Sequence, residues 1–193
     1  MLNQIATKLS QRLLLKQVIT ADYFDIYVYG FELLISSLLS TSLILIFGIL
    51  MGQLLQTITF LIVFILLRSF SGGYHANTYI VCSVVTFSCF GIVLLLSHFV
   101  TIHWGMYIFL AAVGILLLLI FAPIENPNKK IIPTQRKKYK KTSVLLFSVI
   151  VLLGFLSTNF LPNIGNTIFF TLMADLVLLF IKTKRKEKSN ESF

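Results

Sequence analysis

The stretch "WGMYIFLAAVGILLLLIFA", from Trp104 to Ala122, contains no charged residue and no proline. As an α-helix it would extend roughly 28 Å, close to the bilayer's hydrocarbon thickness of about 30 Å. A helix suits that environment because it satisfies its own backbone hydrogen bonds. Membrane β-strands would instead alternate polar and apolar residues in segments of about ten. The stretch therefore predicts a transmembrane α-helix.

Similar apolar runs occur along the whole chain of 193 residues, of which 57% are hydrophobic and 12% charged. With a mean hydropathy of +0.92, the chain has too little polar surface for a soluble globular protein. The predicted spans cover residues 33–51, 54–67, 78–97, 104–122, 143–161 and 164–182. The second span is short unless it extends back through Met51 or on to Phe70. The predicted fold class is all-α, a polytopic membrane protein with six transmembrane helices.

The N-terminal segment, residues 1–28, has a different pattern. Leu2, Ile5, Leu9 and Leu13 follow helical spacing with lysine and arginine between them, which predicts an amphipathic helix in the membrane interface. The segment lacks the uninterrupted apolar core and the small-residue cleavage site of a signal peptide. We expect one domain over residues 1–193: this segment, the bundle at 29–182, and a basic cytoplasmic tail at 183–193.

Lysine and arginine are confined to one side of the six-span arrangement. They precede the first span, and they fall between the second and third, between the fourth and fifth, and after the sixth. Cytoplasmic flanks carry such an excess, so both termini are predicted to be cytoplasmic. The net charge of +9 is then largely a topology signal, and we expect a lipid bilayer, not nucleic acid, as partner.

The segment "RSFSGGYHANTYIVC", Arg68 to Cys82, interrupts the apolar runs between the second and third spans. Its simplest interpretation is a tight loop with an anchoring arginine, since loops commonly collect Gly, Ser and Asn. A catalytic interpretation is also open. Cys82 would lie in the first turns of the third span, where the helix dipole favours the nucleophilic thiolate. His75 could then accept the thiol proton.

His75 and Cys82 can meet only if the histidine leaves the helix. On one continuous helix they would lie about 10.5 Å apart along the axis, whereas proton transfer needs a contact of about 3 Å. Gly72 and Gly73 can adopt backbone angles closed to other residues and so fold the loop back over the helix terminus. The spacing is therefore compatible with a Cys/His dyad at the cytoplasmic rim.

The pattern "R-x-x-x-G-G-x-H-A", followed by a cysteine seven residues after the histidine, resembles the AgrB family of accessory gene regulator peptidases from Gram-positive bacteria. "YGFELL" (Tyr29 to Leu34) and "FAPIENPNKK" (Phe121 to Lys130) also look like features of that family. The resemblance covers nearly the whole chain. It implies a membrane cysteine endopeptidase of the bacterial cell membrane that processes a propeptide, AgrD, into a cyclic autoinducing peptide for quorum sensing.

The resemblance also implies roles for single residues. Cys82 takes the nucleophile's place and His75 the base's, while Arg68 and Gly73 match recurrent positions of supporting role. No position plainly supplies a third catalytic residue. The resemblance implies no cofactor and leaves a homodimer open.

The basic run "NKKIIPTQRKKYKK", Asn128 to Lys141, is most simply an orientation determinant. The resemblance suggests a second role, in which Lys129 and Lys130 bind acidic residues of the propeptide. Long-range attraction of that kind would be sensitive to salt.

Asp175, within "TLMADLVLLF", is the acidic residue that lies well inside a predicted span, about 10 Å from its cytoplasmic end. Intramembrane carboxylates are costly and usually face a partner. Either Asp175 pairs with Arg68 or orients His75, or it is a protonated or snorkelling residue of the bundle. Glu32, at a membrane boundary, is expected to pair with a basic residue.

The remaining cysteine and histidines favour no further site. Cys82 and Cys89 fall in one predicted helix, too far apart for a disulfide, so both are predicted to be free thiols. His98 and His103 flank a predicted external connection, across the bilayer from His75. We therefore expect no metal site.

A second functional class remains open, that of a small peptide or solute transporter. Broken helices and charges near the bilayer midplane are typical of such proteins and would also explain the glycines and Asp175. Replacement of Cys82 separates the two interpretations, because a transporter does not need the thiol.

Overall fold

The computed structural model describes residues 2–71, 79–123 and 133–190, and within these ranges it consists of helices and their short connections. The helices are α1 (Leu2–Leu15), α2 (Phe24–Leu50), α3 (Leu54–Ser71), α4 (Tyr79–Phe99), α5 (Trp104–Phe121), α6 (Pro133–Phe160) and α7 (Pro162–Asn190). A single 3₁₀ turn, Ala21–Tyr23, leads into α2. The predicted all-α fold is confirmed.

Six helices, α2 to α7, are long and apolar enough to cross a membrane, as predicted. Their ends differ from the predicted ones. The second span continues to Ser71, and the first begins earlier than residue 33, because α2 starts at Phe24. From Pro133 onwards the basic run is part of α6 and not a connection. Lysine and arginine are good helix formers, and proline is favourable at the first helical position.

The central helix of the bundle is α7, which contacts α3, α4, α5 and α6. In its most apolar stretch 61% of the residues are buried, whereas in the first span the share is 11%. The buried hydroxyls of Thr167 and Thr171 donate to the carbonyls of Asn163 and Thr167, one turn earlier in the same helix. These polar groups are therefore satisfied without water, as the interior of a membrane bundle requires.

Two apolar clusters hold α7 in place. The first joins it to α3, α5 and α6, and its most deeply buried members are Leu67, Tyr107, Leu118, Phe147 and Leu172. The second joins it to α2, α3 and α4 around Ile44, Phe60, Phe90 and Val93. Because α3 contributes to both clusters, it is fixed against α7 along most of its length.

Hydrogen bonds fix the start of α7 against its neighbours. The Tyr107 hydroxyl of α5 donates to the Gly165 carbonyl. The Asn166 amide donates to the carbonyls of Ser97, at 3.3 Å, and Val100, at 2.9 Å, at the end of α4. These bonds set the depth of α7 relative to α4, and with it the depth of every residue farther along α7.

The N-terminal helix α1 packs against α2. Its inward face is formed by two small residues one turn apart, Ala6 and Ser10, while Ile5 stays exposed. The Asn3 amide donates a hydrogen bond of 2.7 Å to the Glu32 carboxylate. The predicted helix is thus present, and its fully buried residues are small.

Candidate active site

Cys82 lies in the first turn of α4 and is half-buried. Its position agrees with the prediction, since the positive end of the helix dipole acts over this turn. The neighbouring Ser83 shares a hydrogen bond of 2.6 Å with the Ser40 hydroxyl of α2. Successive helix positions differ in direction by about 100°, so the Cys82 side chain lies about a quarter turn around α4 from the contact with α2.

Arg68 reaches Cys82 from α3. Its Nη2 atom donates to the Cys82 Sγ atom at 3.8 Å, a long contact even for sulfur. The contact brings a positive charge to the sulfur atom. The resemblance implies a supporting role for Arg68. The contact with Cys82 could not be predicted from the sequence, because it depends on how the ends of α3 and α4 meet in space.

The Arg68 side chain is directed along α3 towards the interior of the bundle. Its Cζ atom lies 5.2 Å from the centroid of the Phe64 ring, one helical turn farther from the end of α3. Phe64 is itself almost fully buried. A cation over an aromatic face is a favourable arrangement, and here it places the arginine charge at the depth of Phe64.

Asp175 lies on the buried face of α7, with 8% of its surface exposed. Its Oδ2 atom has no hydrogen-bond partner among the described residues. Of the interpretations left open by the sequence, that of a residue of the bundle interior fits this burial. Pairing with Arg68 stays a prediction, and the relation to His75 concerns a residue outside the described ranges.

Cys89 lies two turns beyond Cys82 in α4. Both thiols are free, as predicted. Cys89 packs beside the second apolar cluster, among Phe60, Phe90 and their neighbours. The contact between Arg68 and Cys82 therefore joins α3 to α4 at a different level of the helix from Cys89.

Several predicted site residues lie outside the described ranges, namely Gly72, Gly73, His75, Lys129 and Lys130. Their roles remain predictions. In the described part of the chain no three His, Cys, Asp or Glu side chains are grouped as metal ligands would be. His98 lies in the last turn of α4, and His103 immediately precedes α5, at the other end of α4 from Cys82.

The basic start of α6 lies beside the end of α3. The ring centroids of Tyr139 and Phe70 are 6.2 Å apart, and α6 contacts α3. The preceding turn of α6 exposes Arg136, Lys137 and Lys138. A basic surface therefore adjoins the end of the bundle at which Arg68 and Cys82 meet.

The chain is similar to known proteins over most of its length. The family model for accessory gene regulator B matches residues 2–181. A putative AgrB-like protein of Clostridium perfringens (strain SM101 / Type A) is 28% identical over 162 residues, which are 80% of this chain and 76% of that protein. The accessory gene regulator protein B of Staphylococcus lugdunensis is 26% identical over 152 residues, 77% of this chain and 72% of that one.

No solved structure matches the chain. The family match covers nearly the whole sequence, including α3, α4 and most of α7. It agrees with a multi-pass bacterial membrane protein, since six helices are able to span a bilayer. This chain belongs to the accessory gene regulator B family of quorum-sensing proteins.

Proposed function

We propose that the protein is a membrane cysteine endopeptidase that cleaves an AgrD-like propeptide at the cytoplasmic face and promotes its cyclisation. The contact between the Arg68 guanidinium and the Cys82 thiol is the observation that carries this proposal. It places a cation beside a half-buried thiol at the start of a helix, and catalytic cysteines are found in partly exposed, electropositive surroundings of this kind.

In the proposed reaction the Cys82 sulfur attacks the scissile carbonyl. His75 takes the thiol proton and transfers it to the leaving amine, so that the C–N bond breaks and a thioester to Cys82 forms. A thiol or hydroxyl of the same propeptide segment then attacks the thioester, releases Cys82 and closes a thiolactone or lactone. Backbone amides near the start of α4 would stabilise the oxyanion.

Cyclisation is favoured over hydrolysis for two reasons. The internal nucleophile is tethered to the thioester, which raises its effective concentration, and the bilayer limits access of water. The basic surface at the start of α6, together with Lys129 and Lys130, would bind acidic residues of the propeptide. Propeptide binding should therefore weaken at high salt.

The transporter alternative has less support. It would be favoured by spanning helices that are broken near the midplane. Among the described spans, α7 runs through Asp175 without interruption, and α3 and α4 are also continuous.

The decisive experiment pairs the two cysteines. The full chain is co-expressed with a candidate propeptide, and products are identified by mass spectrometry. Cys82→Ala should abolish cleavage, whereas the matched control Cys89→Ala in the same helix should retain it. Loss of cleavage in Cys89→Ala, with activity retained in Cys82→Ala, would show that the nucleophile is Cys89 and not Cys82.

A further inference from the structure

The guanidinium of Arg68 contacts a reactive atom and a buried aromatic ring. Its Nη2 atom lies 3.8 Å from the Cys82 Sγ atom, and its Cζ atom lies 5.2 Å from the centroid of the Phe64 ring. Phe64 belongs to the second apolar cluster and has 3% of its surface exposed. Because a cation is attracted to an aromatic face, this fixed ring holds the guanidinium beside the sulfur before any substrate arrives.

The length of the contact with sulfur suits a donor whose acceptor is an oxygen atom next to that sulfur. Charge-assisted hydrogen bonds to oxygen are about 2.7–2.9 Å long, and sulfur is a weak acceptor. In the proposed reaction the substrate carbonyl carbon bonds to Cys82, so the carbonyl oxygen is then two bonds from the sulfur. A donor that lies 3.8 Å from the sulfur can reach this oxygen at about 3 Å, the distance that oxyanion stabilisation requires.

We propose that Arg68 is a catalytic residue that donates to the oxyanion of the tetrahedral intermediate, beside the backbone amides at the start of α4. As the Cys82 sulfur bonds to the carbonyl carbon, the π electron pair of the carbonyl moves onto its oxygen. As the C–N bond breaks and the leaving amine takes the proton from His75, that pair returns and re-forms the carbonyl. This role rests on the proposed function of Cys82 as nucleophile.

A fixed cation suits this task for two reasons. The negative charge on oxygen exists only around the transition state, so a donor aimed at it lowers the barrier without tightening substrate binding. Arg68 and Cys82 are also both half-buried between α3 and α4, and attraction between opposite charges is stronger where water is excluded. Ring closure passes through a second intermediate at the same carbon atom, so the same guanidinium would serve both steps.

The rival role for the cation is to stabilise the Cys82 thiolate. The two roles differ in the reactions that they accelerate. Alkylation by iodoacetamide displaces iodide and forms no oxyanion, whereas acylation by p-nitrophenyl acetate passes through a tetrahedral intermediate. Both reactions need the thiolate, so the acylation rate divided by the alkylation rate does not depend on how much thiolate is present. A fall in this ratio therefore reports the oxyanion role.

The test measures both rates by mass spectrometry of the full-length protein, in a Cys89→Ala background where Cys82 is the single thiol. Arg68→Gln should lower the ratio about 100-fold, the loss expected when one oxyanion donor is removed. Arg68→Lys keeps the cation but has a shorter side chain without the planar fork, and it should lower the ratio about tenfold. The matched control Arg12→Gln, which removes an exposed arginine of α1, should leave the ratio unchanged.

An unchanged ratio in Arg68→Gln would overturn the proposal even if both rates fell together, because that result assigns the cation to the thiolate alone. If thermal unfolding shows that Arg68→Gln does not fold, Arg68→Lys decides by the same criterion. Alkylation without any ester acylation in the parent chain would also overturn the proposal. Neither reagent is a propeptide, so the result is independent of whether the propeptide is processed.

Discussion

At the residue scale, the proposed chemistry depends on the surroundings of one sulfur atom. Cys82 and Cys89 are in the same helix and are both half-buried, yet Arg68 donates to Cys82. The sequence places Cys82 at a helix start and pairs it with His75 by resemblance. It could not show the Arg68 contact, because that contact depends on the packing of α3 against α4.

The dyad gives the first prediction. His75→Ala and Cys82→Ala should each eliminate propeptide cleavage, and the double variant should be scarcely worse than either single one, because a nucleophile and its base act as a unit. Cleavage assays on the three variants at equal expression check this. Additive losses would indicate that His75 contributes by another route.

At the element scale, close helix contacts hold the site in place. Gly114 of α5 faces the fully buried ring of Phe147 in α6, and a Cβ atom at Gly114 would overlap that ring. Small residues allow transmembrane helices to approach this closely. The apolar run of α5 predicts a span from the sequence, but nothing in the run indicates which of its residues faces α6.

Two glycines of α5 form a matched pair for the second prediction. Gly114→Ala should destabilise the protein by about 1–3 kcal/mol through overpacking. A Cβ atom at Gly105 meets no atom within 4 Å, so Gly105→Ala should be neutral or slightly stabilising, since alanine favours helix. Thermal unfolding in detergent measures both. Equal stability of the two variants would contradict the packing of α5 on α6.

At the scale of the whole molecule, the orientation in the membrane is predicted from six spans whose lysine and arginine residues all lie on one side. The spans were predicted correctly in number because each apolar run is long enough to cross a bilayer. Their ends were less accurate, as at Phe24 and Pro133, because helices continue beyond the membrane where polar residues still favour helix. The central place of α7 was not predictable, since all six spans are similarly apolar.

The orientation gives the third prediction. Reporters fused within residues 97–103 or 159–166 should be external, and those within residues 68–77 or 129–141 cytoplasmic, because lysine and arginine are retained on the cytoplasmic side. Accessibility of the reporters in intact cells provides the measurement. An external position for the 68–77 segment would contradict an active site at the cytoplasmic face.

The most direct test of the proposed reaction is to identify the acyl-enzyme. A propeptide whose ring-forming Cys or Ser is replaced by Ala cannot close the ring, so the thioester should accumulate or be hydrolysed slowly to a linear peptide. Mass spectrometry of the digested full-length protein should then find the propeptide segment attached to Cys82 by a bond that hydroxylamine cleaves. Attachment to Cys89, or an unchanged cyclic product from the altered propeptide, would contradict the account.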